Sequence, residues 1–278
     1  MTTDPTPGAA GADVHVVLEN VDMAFGEREV FRGLSCAFAA RKVSVILGGS
    51  GSGKSTVLRL IGGLVRPQGG RIFVAGEDIT RLSERQLYGV RKKLGMMFQG
   101  GALLDSLTIY ENLAFPLREH TSLDERAIAA AVDRRLDAVG LTDVDGLLPN
   151  QLSGGMLRRA ALARAIMLDP VILLCDEPFS GLDPVSVKRI ESLLVQINQR
   201  LGITILLVSH HIASTMRMAD HVVLLLPSGD QNRGTTAVTG SPAELRRSSD
   251  PRVVAFLTDE CDEGDAAATT AGTAAGST

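Results

Sequence analysis

The chain has 278 residues, of which 45% are hydrophobic and 22% charged, and this balance is typical of a globular protein. Its 28 Lys and Arg residues against 32 Asp and Glu residues give a formal net charge of -4, which argues against a dominant surface for nucleic acid or another polyanion. Apolar runs stay well short of the roughly 18–20 residues that cross a bilayer, so we expect any membrane-spanning part to be another chain.

The first residues, 1–13, are rich in Thr, Pro, Gly and Ala and lack the basic start and apolar core of a signal peptide, so we expect them to be disordered. The stretches VHVVLENVDMAF and RIFVAG read as antiparallel strands of a side sheet. Near-continuous apolar character predicts three strands covered on both faces, as in a parallel α/β sheet: Val43–Gly48, Val171–Glu177 and Thr204–His210.

Helical periodicity occupies the sequence between these strands. An apolar stripe predicts a helix over Leu123–Gly140, with Ser122 or Asp124 as its cap. A second stripe predicts a helix over Pro184–Leu201 that ends at Gly202.

The region 100–168 is largely helical and separates two strand-rich regions, so we expect a helical subdomain inserted into an α/β core. One ordered unit is predicted over 14–258, with a short helix at Pro251–Leu257. The low-complexity tail, 259–278, has little apolar surface to bury and is expected to be disordered.

The first chemical motif is a glycine-rich loop of the pattern G-x-x-x-x-G-K-[ST]. It follows an apolar strand and opens a helical run, which is the context that a phosphate-binding loop requires. A glycine-rich turn without a ligand is the alternative, but the context favours phosphate binding, with Lys54 on the β- and γ-phosphates and Ser55 on Mg²⁺. The predicted nucleotide-binding residues of this loop are Gly48, Gly49, Ser50, Gly51, Ser52, Gly53, Lys54, Ser55 and Thr56.

An acidic pair, Asp176 and Glu177, ends the apolar strand VILLC. Alone, such a pair is more often a solvated strand end. Together with the phosphate-binding loop, it predicts Mg²⁺ coordination by Asp176 and orientation of the attacking water by Glu177.

The third motif, LSGGM, contains Ser153, Gly154 and Gly155 and opens another helix. By itself it reads as an ordinary N-cap followed by a turn. The combination of phosphate loop, LSGG, DEP and a later strand-end histidine, however, resembles the ATP-binding-cassette (ABC) ATPases over about Val14–Leu257. This resemblance implies a P-loop NTPase core of the RecA-like α/β class with an antiparallel side sheet and an inserted helical subdomain.

The resemblance also implies roles for single residues. Gln99 matches the glutamine that contacts Mg²⁺, His210 matches the histidine that contacts the γ-phosphate, and Phe25 sits where an aromatic ring stacks on adenine. Asp183, in the D-loop, also reads as a helix cap, Phe25 as a plain core aromatic, and a strand-end histidine such as His210 as a structural residue. In this family Ser153–Gly155 contact the γ-phosphate held by the other subunit, so two copies enclose two ATP molecules.

The stretches Phe98–Thr121 and Asp250–Leu257, together with Met156 and the pair Arg158-Arg159, resemble ATPases of Mla/Mce-type lipid transporters. That resemblance implies a homodimer on the cytoplasmic face of the inner membrane, peripheral to an integral membrane permease. An MCE-domain substrate-binding protein and a STAS-domain protein are further expected partners.

Two alternatives differ from lipid transport. One is an ABC transporter ATPase for an amino acid, an ion or a drug. The other is a soluble ABC protein of DNA repair or translation, which should have two cassettes or a long coiled-coil insertion; the sequence has neither. We also expect the segment Gly100–Pro116 to border the groove in which the permease docks.

Overall fold

The computed structural model describes residues 14–227 and 234–258. The two segments predicted to be disordered, 1–13 and 259–278, lie outside the described residues. The bounds 14–258 and 100–168 stay predictions as domain limits.

Ten strands of the described chain form one sheet in the order β5-β4-β1-β2-β10-β9-β3-β8-β7-β6. Their bounds are β1 (Val14–Phe25), β2 (Arg28–Ala39), β3 (Val43–Gly48), β4 (Gly69–Val74), β5 (Glu77–Asp78), β6 (Leu94–Met97), β7 (Ile172–Asp176), β8 (Thr204–Val208), β9 (His221–Pro227) and β10 (Thr235–Gly240).

Helices surround this sheet. Their bounds are α1 (Lys54–Ile61), α2 (Glu84–Arg91), α3 (Ile109–His120), α4 (Glu125–Ala138), α5 (Gly154–Ala165), α6 (Pro184–Leu201), α7 (Ile212–Met218), α8 (Pro242–Arg246) and α9 (251–258). A 3₁₀ turn, Pro149–Gln151, precedes α5. None of the helices in the described ranges is long and apolar enough to cross a membrane.

The centre of the sheet is parallel, since β3 pairs with β8 and β9, and β7 pairs with β8 and β6. Every residue of β3, β7 and β8 is buried, as their apolar runs predict. Strands β7 and β8 end earlier than predicted, however, at Asp176 and Val208. Glu177 leaves the sheet because its backbone turns to a φ of 49°, and His210 lies in the loop before α7.

The antiparallel strands form one end of the same sheet. Strand β1 pairs antiparallel with β2 and β4, as predicted for its sequence. Strand β10 joins this end to the parallel centre, pairing with β2 at Thr235 and Phe31 and antiparallel with β9. The fold is therefore a mixed α/β sheet in which the predicted side sheet is hydrogen-bonded to the core.

The two faces of β3 bury different cores. Val45 and Leu47 pack in the cluster that contains the residues of α3 to α6, whereas Ile46 packs with Val57 of α1 and the antiparallel strands. This alternation follows from the period-two geometry of a strand. The glycine-rich loop after β3 is thus anchored on both sides.

Helices α3, α4 and α5 lie between β6 and β7 and pack on one another. Helix α4 is shorter than predicted at both ends, because the Asp124 carboxylate accepts the backbone N–H of Ala127 at 2.8 Å and Gly140 turns to a φ of 64°. Helix α6 has the predicted bounds, with Gly202 in the left-handed conformation at its end.

Candidate functional site

A cleft of about 380 Å³ opens where the ends of β1, β3, β6, β7 and β8 meet. The carboxyl ends of parallel strands are the usual position of ligand sites in α/β sheets. Its lining residues come from the hairpin β1–β2, the loop after β3, the segment after β6 and the two loops after β7 and β8; they are Phe25, Arg28, Val30, Ser50, Gly51, Gly53, Lys54, Ser55, Thr56, Gln99, Glu177 and His210.

The loop between β3 and α1 depends on glycines at both ends. Gly48 has a φ of 151°, and a Cβ there would lie 2.6 Å from the carbonyl oxygen of Leu225. Gly53 has a φ of 94°, and a Cβ there would lie 2.5 Å from the Phe31 ring. Helix α1 begins directly after Gly53 without a side-chain cap, so its N-terminal partial charge faces the cleft.

Lys54 is held at the base of this loop. Its side chain is buried, and its Nζ donates to the carbonyl oxygens of Gly48 at 2.7 Å and Gly49 at 3.0 Å. The ammonium group therefore lies inside the curve of the loop, where it complements a bound anion. The next residue, Ser55, donates its hydroxyl to the Asp176 carboxylate at 2.9 Å and so joins the loop to the end of β7.

The side chains of Glu177 and His210 are in contact with each other, and both line the cleft. Oε1 of Glu177 lies 2.9 Å from Nε2 of His210, and Oε2 accepts the backbone N–H of His210 at 3.3 Å. Glu177 is 6% exposed, and this burial raises its pKa to about 7, against the opposing effects of the His210 N–H and the Lys54 charge. A carboxylate with a pKa near neutrality is suited to accept a proton.

The imidazole of His210 is kept neutral at physiological pH. Burial lowers its pKa, and the nearby Lys54 charge lowers it further. The adjacent His211 points elsewhere, with its ring edge-on to Phe179 at a centroid distance of 6.0 Å. Of the two histidines in the sequence LLVSHH, only His210 lines the cleft.

Phe25 and Arg28 flank the turn of the β1–β2 hairpin that borders the cleft. Phe25 is 47% exposed, unlike core aromatics such as Phe31 at 1%, so the plain core interpretation of Phe25 does not hold. Arg28 was missed by sequence reasoning, because a single arginine in a polar hairpin carries no motif. Its Nη2 donates to the Gly51 carbonyl at 3.3 Å, which places a second cation near the phosphate loop.

Some predicted residues do not line the cleft themselves. Gly48, Gly49 and Ser52 belong to the loop without facing the opening, and Asp176 reaches it through Ser55. Their predicted roles remain compatible with backbone or indirect contacts.

Ser153, Gly154, Gly155 and Asp183 form a separate group. The Ser153 hydroxyl caps α5 by accepting the Met156 N–H at 3.3 Å, and Asp183 caps α6 by accepting the N–H groups of the second and third residues after it, both at 3.0 Å. A Cβ on Gly154 would contact Leu182 at 3.6 Å. One copy of the chain therefore does not bring these residues to its own cleft.

Comparison with known proteins places these features in context. The model of the family described as ABC transporter matches residues 31–180. The intermembrane phospholipid transport system ATP-binding protein MlaF of Haemophilus influenzae is 43% identical, over 89% of this chain and 91% of that protein. The probable ribonucleotide transport ATP-binding protein mkl of Mycobacterium tuberculosis is 40% identical, over 88% of this chain and 66% of that protein.

Two solved structures are similar throughout the fold. The structure of cbiO1 from Clostridium perfringens, part of an ABC transporter complex, has a TM-score of 0.75 and 27% identity, covering 86% of this chain and 92% of that one. The dimeric post-hydrolysis state of the cassette MJ0796, bound to ADP and Pi, has a TM-score of 0.69 and 30% identity, covering 75% of this chain and 93% of that one.

Proposed function

The chain belongs to the ABC transporter family, and we propose that it is the ATP-hydrolysing subunit that powers phospholipid transport between membranes through a separate permease. The observation that carries the ATPase part of this proposal is the cleft in which Lys54 and the pair Ser55–Asp176 lie beside the pair Glu177–His210. These groups are the parts that phosphoryl transfer to water requires: a phosphate cradle, oxygen ligands for a divalent cation and a buried carboxylate.

The phosphate cradle supplies fixed positive charge. Lys54, held by the carbonyls of Gly48 and Gly49, and the uncapped N-terminus of α1 both lie at the cleft, so their positive charge is positioned before phosphate binds. Phe25, at the mouth, offers an exposed ring on which adenine can stack. Arg28 adds a second cation over Gly51.

The residues present fit Mg²⁺. The hydroxyl of Ser55 lies 2.9 Å from the carboxylate of Asp176, Gln99 lines the same cleft, and Mg²⁺ prefers oxygen ligands of these kinds. Ser55, Asp176 and Gln99 would hold Mg²⁺, which would supply positive charge beside the phosphates.

Glu177 orients the attacking water and accepts its proton. The carboxylate is fixed by the backbone N–H of His210, and its raised pKa of about 7 makes it a stronger base than an exposed glutamate. The neutral side chain of His210, at 2.9 Å from Oε1, contacts the γ-phosphate when the cleft is filled.

A second copy of the chain completes each site. Ser153 and Gly154 are exposed and are not among the residues that line the cleft of their own chain, and Val185 in the first turn of α6 is also exposed. Two chains facing each other would place the signature loop (Ser153–Gly155) of one chain against the phosphates held by the other chain. ATP then favours the closed dimer because it binds that state more tightly, and hydrolysis removes the bridge.

The cargo assignment rests on the relatives. MlaF of Haemophilus influenzae is named for phospholipid transport and matches over 91% of its length, whereas mkl is named for ribonucleotide transport and matches over 66%. The match that covers nearly the whole relative favours phospholipid as the cargo. We propose that the chain lies on the cytoplasmic face of the inner membrane, with a permease, an MCE-domain protein and a STAS-domain protein as partners, as the resemblance to Mla/Mce-type transporters implies.

Reconstitution of the chain with its permease in vesicles tests this function. ATP-dependent movement of labelled phospholipid, absent with Lys54→Ala, supports the proposal. ATP-dependent uptake of a labelled ribonucleotide without lipid movement would contradict the cargo assignment and leave the ATPase assignment standing.

A further inference from the structure

Arg158 is a buried arginine in the first turns of α5, the helix that the LSGGM motif opens. It is 7% exposed, and its Nη2 donates to the backbone carbonyl of Ser180 at 3.1 Å. Its Nη1 is buried without a hydrogen-bond partner among the described residues. Burying a guanidinium group with incomplete hydrogen bonding is costly, so the burial of Arg158 indicates a role beyond filling space.

The carbonyl that Arg158 binds belongs to the turn between Glu177 and Asp183. The N–H of Ser180 donates to the carbonyl of Glu177 at 3.3 Å, so Ser180 is linked directly to the residue proposed to orient water. The same turn ends at Asp183, which caps α6. Arg158 thus connects α5 to the middle of this turn.

The turn requires such support because its backbone is strained. Glu177 has a φ of 49°, a left-handed conformation that is unfavourable for residues other than glycine. Strained backbone persists where surrounding contacts fix it. The N–H of Glu177 donates to the Val208 carbonyl at 3.0 Å on one side, and the Ser180 carbonyl is held by Arg158 on the other.

Helix α5 also approaches α6 closely at this point. A Cβ on Gly155 would lie 2.8 Å from Oγ of Ser186, which itself donates to Asp183 at 2.5 Å. A displacement of α5 would therefore be transmitted to the middle of the turn at Ser180 and to its end at Asp183.

We propose that Arg158 is a positioning residue that couples the signature helix α5 to the turn carrying Glu177 and so sets the placement of its carboxylate for hydrolysis. This inference rests on the proposed ATPase function. Arg158 does not contact nucleotide in this proposal. Its replacement should therefore change the turnover of ATP without changing the binding of ATP.

The test compares Arg158→Met, which keeps the length and removes the donors, with Arg158→Lys, which keeps one donor. In the full chain, Arg158→Met should lower kcat by about 10-fold or more while the KM and the dissociation constant for ATP change by less than about 2-fold. Arg158→Lys should recover part of kcat. Wild-type hydrolysis is measured in parallel, and its absence would overturn the proposed function itself.

Arg159→Met is the matched control. Arg159 is also buried on α5, but it donates to the carbonyls of Val139 and Gly140 at the end of α4, so its loss should lower thermal stability without this selective loss of kcat. Unchanged kcat in Arg158→Met, or a parallel loss of ATP binding, would overturn the proposal. If Arg158→Met does not fold, Arg158→Leu, which also lacks a donor, carries the test with the same expected split and the same overturning outcomes.

Discussion

Oε1 of Glu177 lies 2.9 Å from Nε2 of His210, while the backbone N–H of His210 donates to the other oxygen of the same carboxylate. Two successive loops of the parallel sheet, after β7 and after β8, are thereby tied through one buried acid. The contact gives Glu177 a fixed direction at the edge of the cleft.

The pH dependence of hydrolysis follows from the pKa of Glu177, which burial raises to about 7. The carboxylate accepts a proton only when ionised, so kcat should rise from pH 6 to pH 8 and level off above. Since the pKa of His210 is lowered, its ionisation should not oppose this rise. Asp133→Asn, at an exposed position on α4, should leave the profile unchanged, and a flat profile in the wild type would contradict the assignment.

The raised pKa of Glu177 should also make the stability of the folded chain depend on pH. A carboxyl whose pKa is raised on folding binds more protons in the folded state between its unfolded pKa and about 7, so its contribution to stability falls as pH rises through that window. Glu177→Gln, which cannot ionise, should therefore raise the Tm relative to wild type more at pH 8 than at pH 5. Equal changes at both pH values would indicate that the carboxyl is not destabilised by burial.

Arg28 should contribute to nucleotide binding. A charge-assisted hydrogen bond contributes about 1.5–3 kcal/mol, so Arg28→Ala should raise the KM for ATP by roughly 10-fold or more with little change in kcat. Arg32→Ala is the matched control, because Arg32 is exposed on the same strand and does not line the cleft. Similar KM values for both variants would rule out the contact.

How far the sequence predicts the structure depends on the kind of signal. Runs of apolar residues predict β3, β7 and β8, and the stripe of α6 predicts both of its ends. The sequence does not predict β6, because LGMM is too short to show a period. It does not predict β9 either, because no motif next to its apolar run indicates a strand.

The residues of the candidate site differ in how far the local sequence predicts them. Lys54 and Ser55 belong to a continuous motif, so local sequence suffices for them. The approach of Glu177 to His210 depends on the order of β7 and β8 in the sheet, which local sequence does not specify. Arg28 and the buried contact of Arg158 with Ser180 arise only from tertiary packing.

Mixing of two inactive variants tests whether each site is shared between copies. Lys54→Ala disables the cleft of its own chain, and Gly154→Asp disables the signature loop, where a Cβ meets only an ordinary contact at 3.6 Å. A mixed dimer keeps one intact site, so hydrolysis should reappear on mixing. Lys54→Ala mixed with Glu177→Gln should stay inactive, because both residues belong to one cleft; activity there, or none in the first mixture, would contradict a shared site.

Two substitutions at Asp183 distinguish its role as the cap of α6 from a role at the dimer surface. Asp183→Ala removes the cap of α6 and should lower the free energy of unfolding, measured by chemical denaturation. Asp183→Ser keeps a capping oxygen and should retain most of this stability. If Asp183→Ser nevertheless loses ATP-dependent dimerisation, the carboxylate acts at the interface; full retention of dimerisation would limit it to capping.

We propose that Glu177 activates the water that hydrolyses ATP bound at Lys54 between two copies of the chain. The most direct test of this proposal is Glu177→Gln, measured for ATP binding, dimer formation by size exclusion with multi-angle light scattering, and phosphate release. This variant is expected to bind ATP, to accumulate as a dimer and to release no phosphate. Near-normal phosphate release by Glu177→Gln would contradict the proposal.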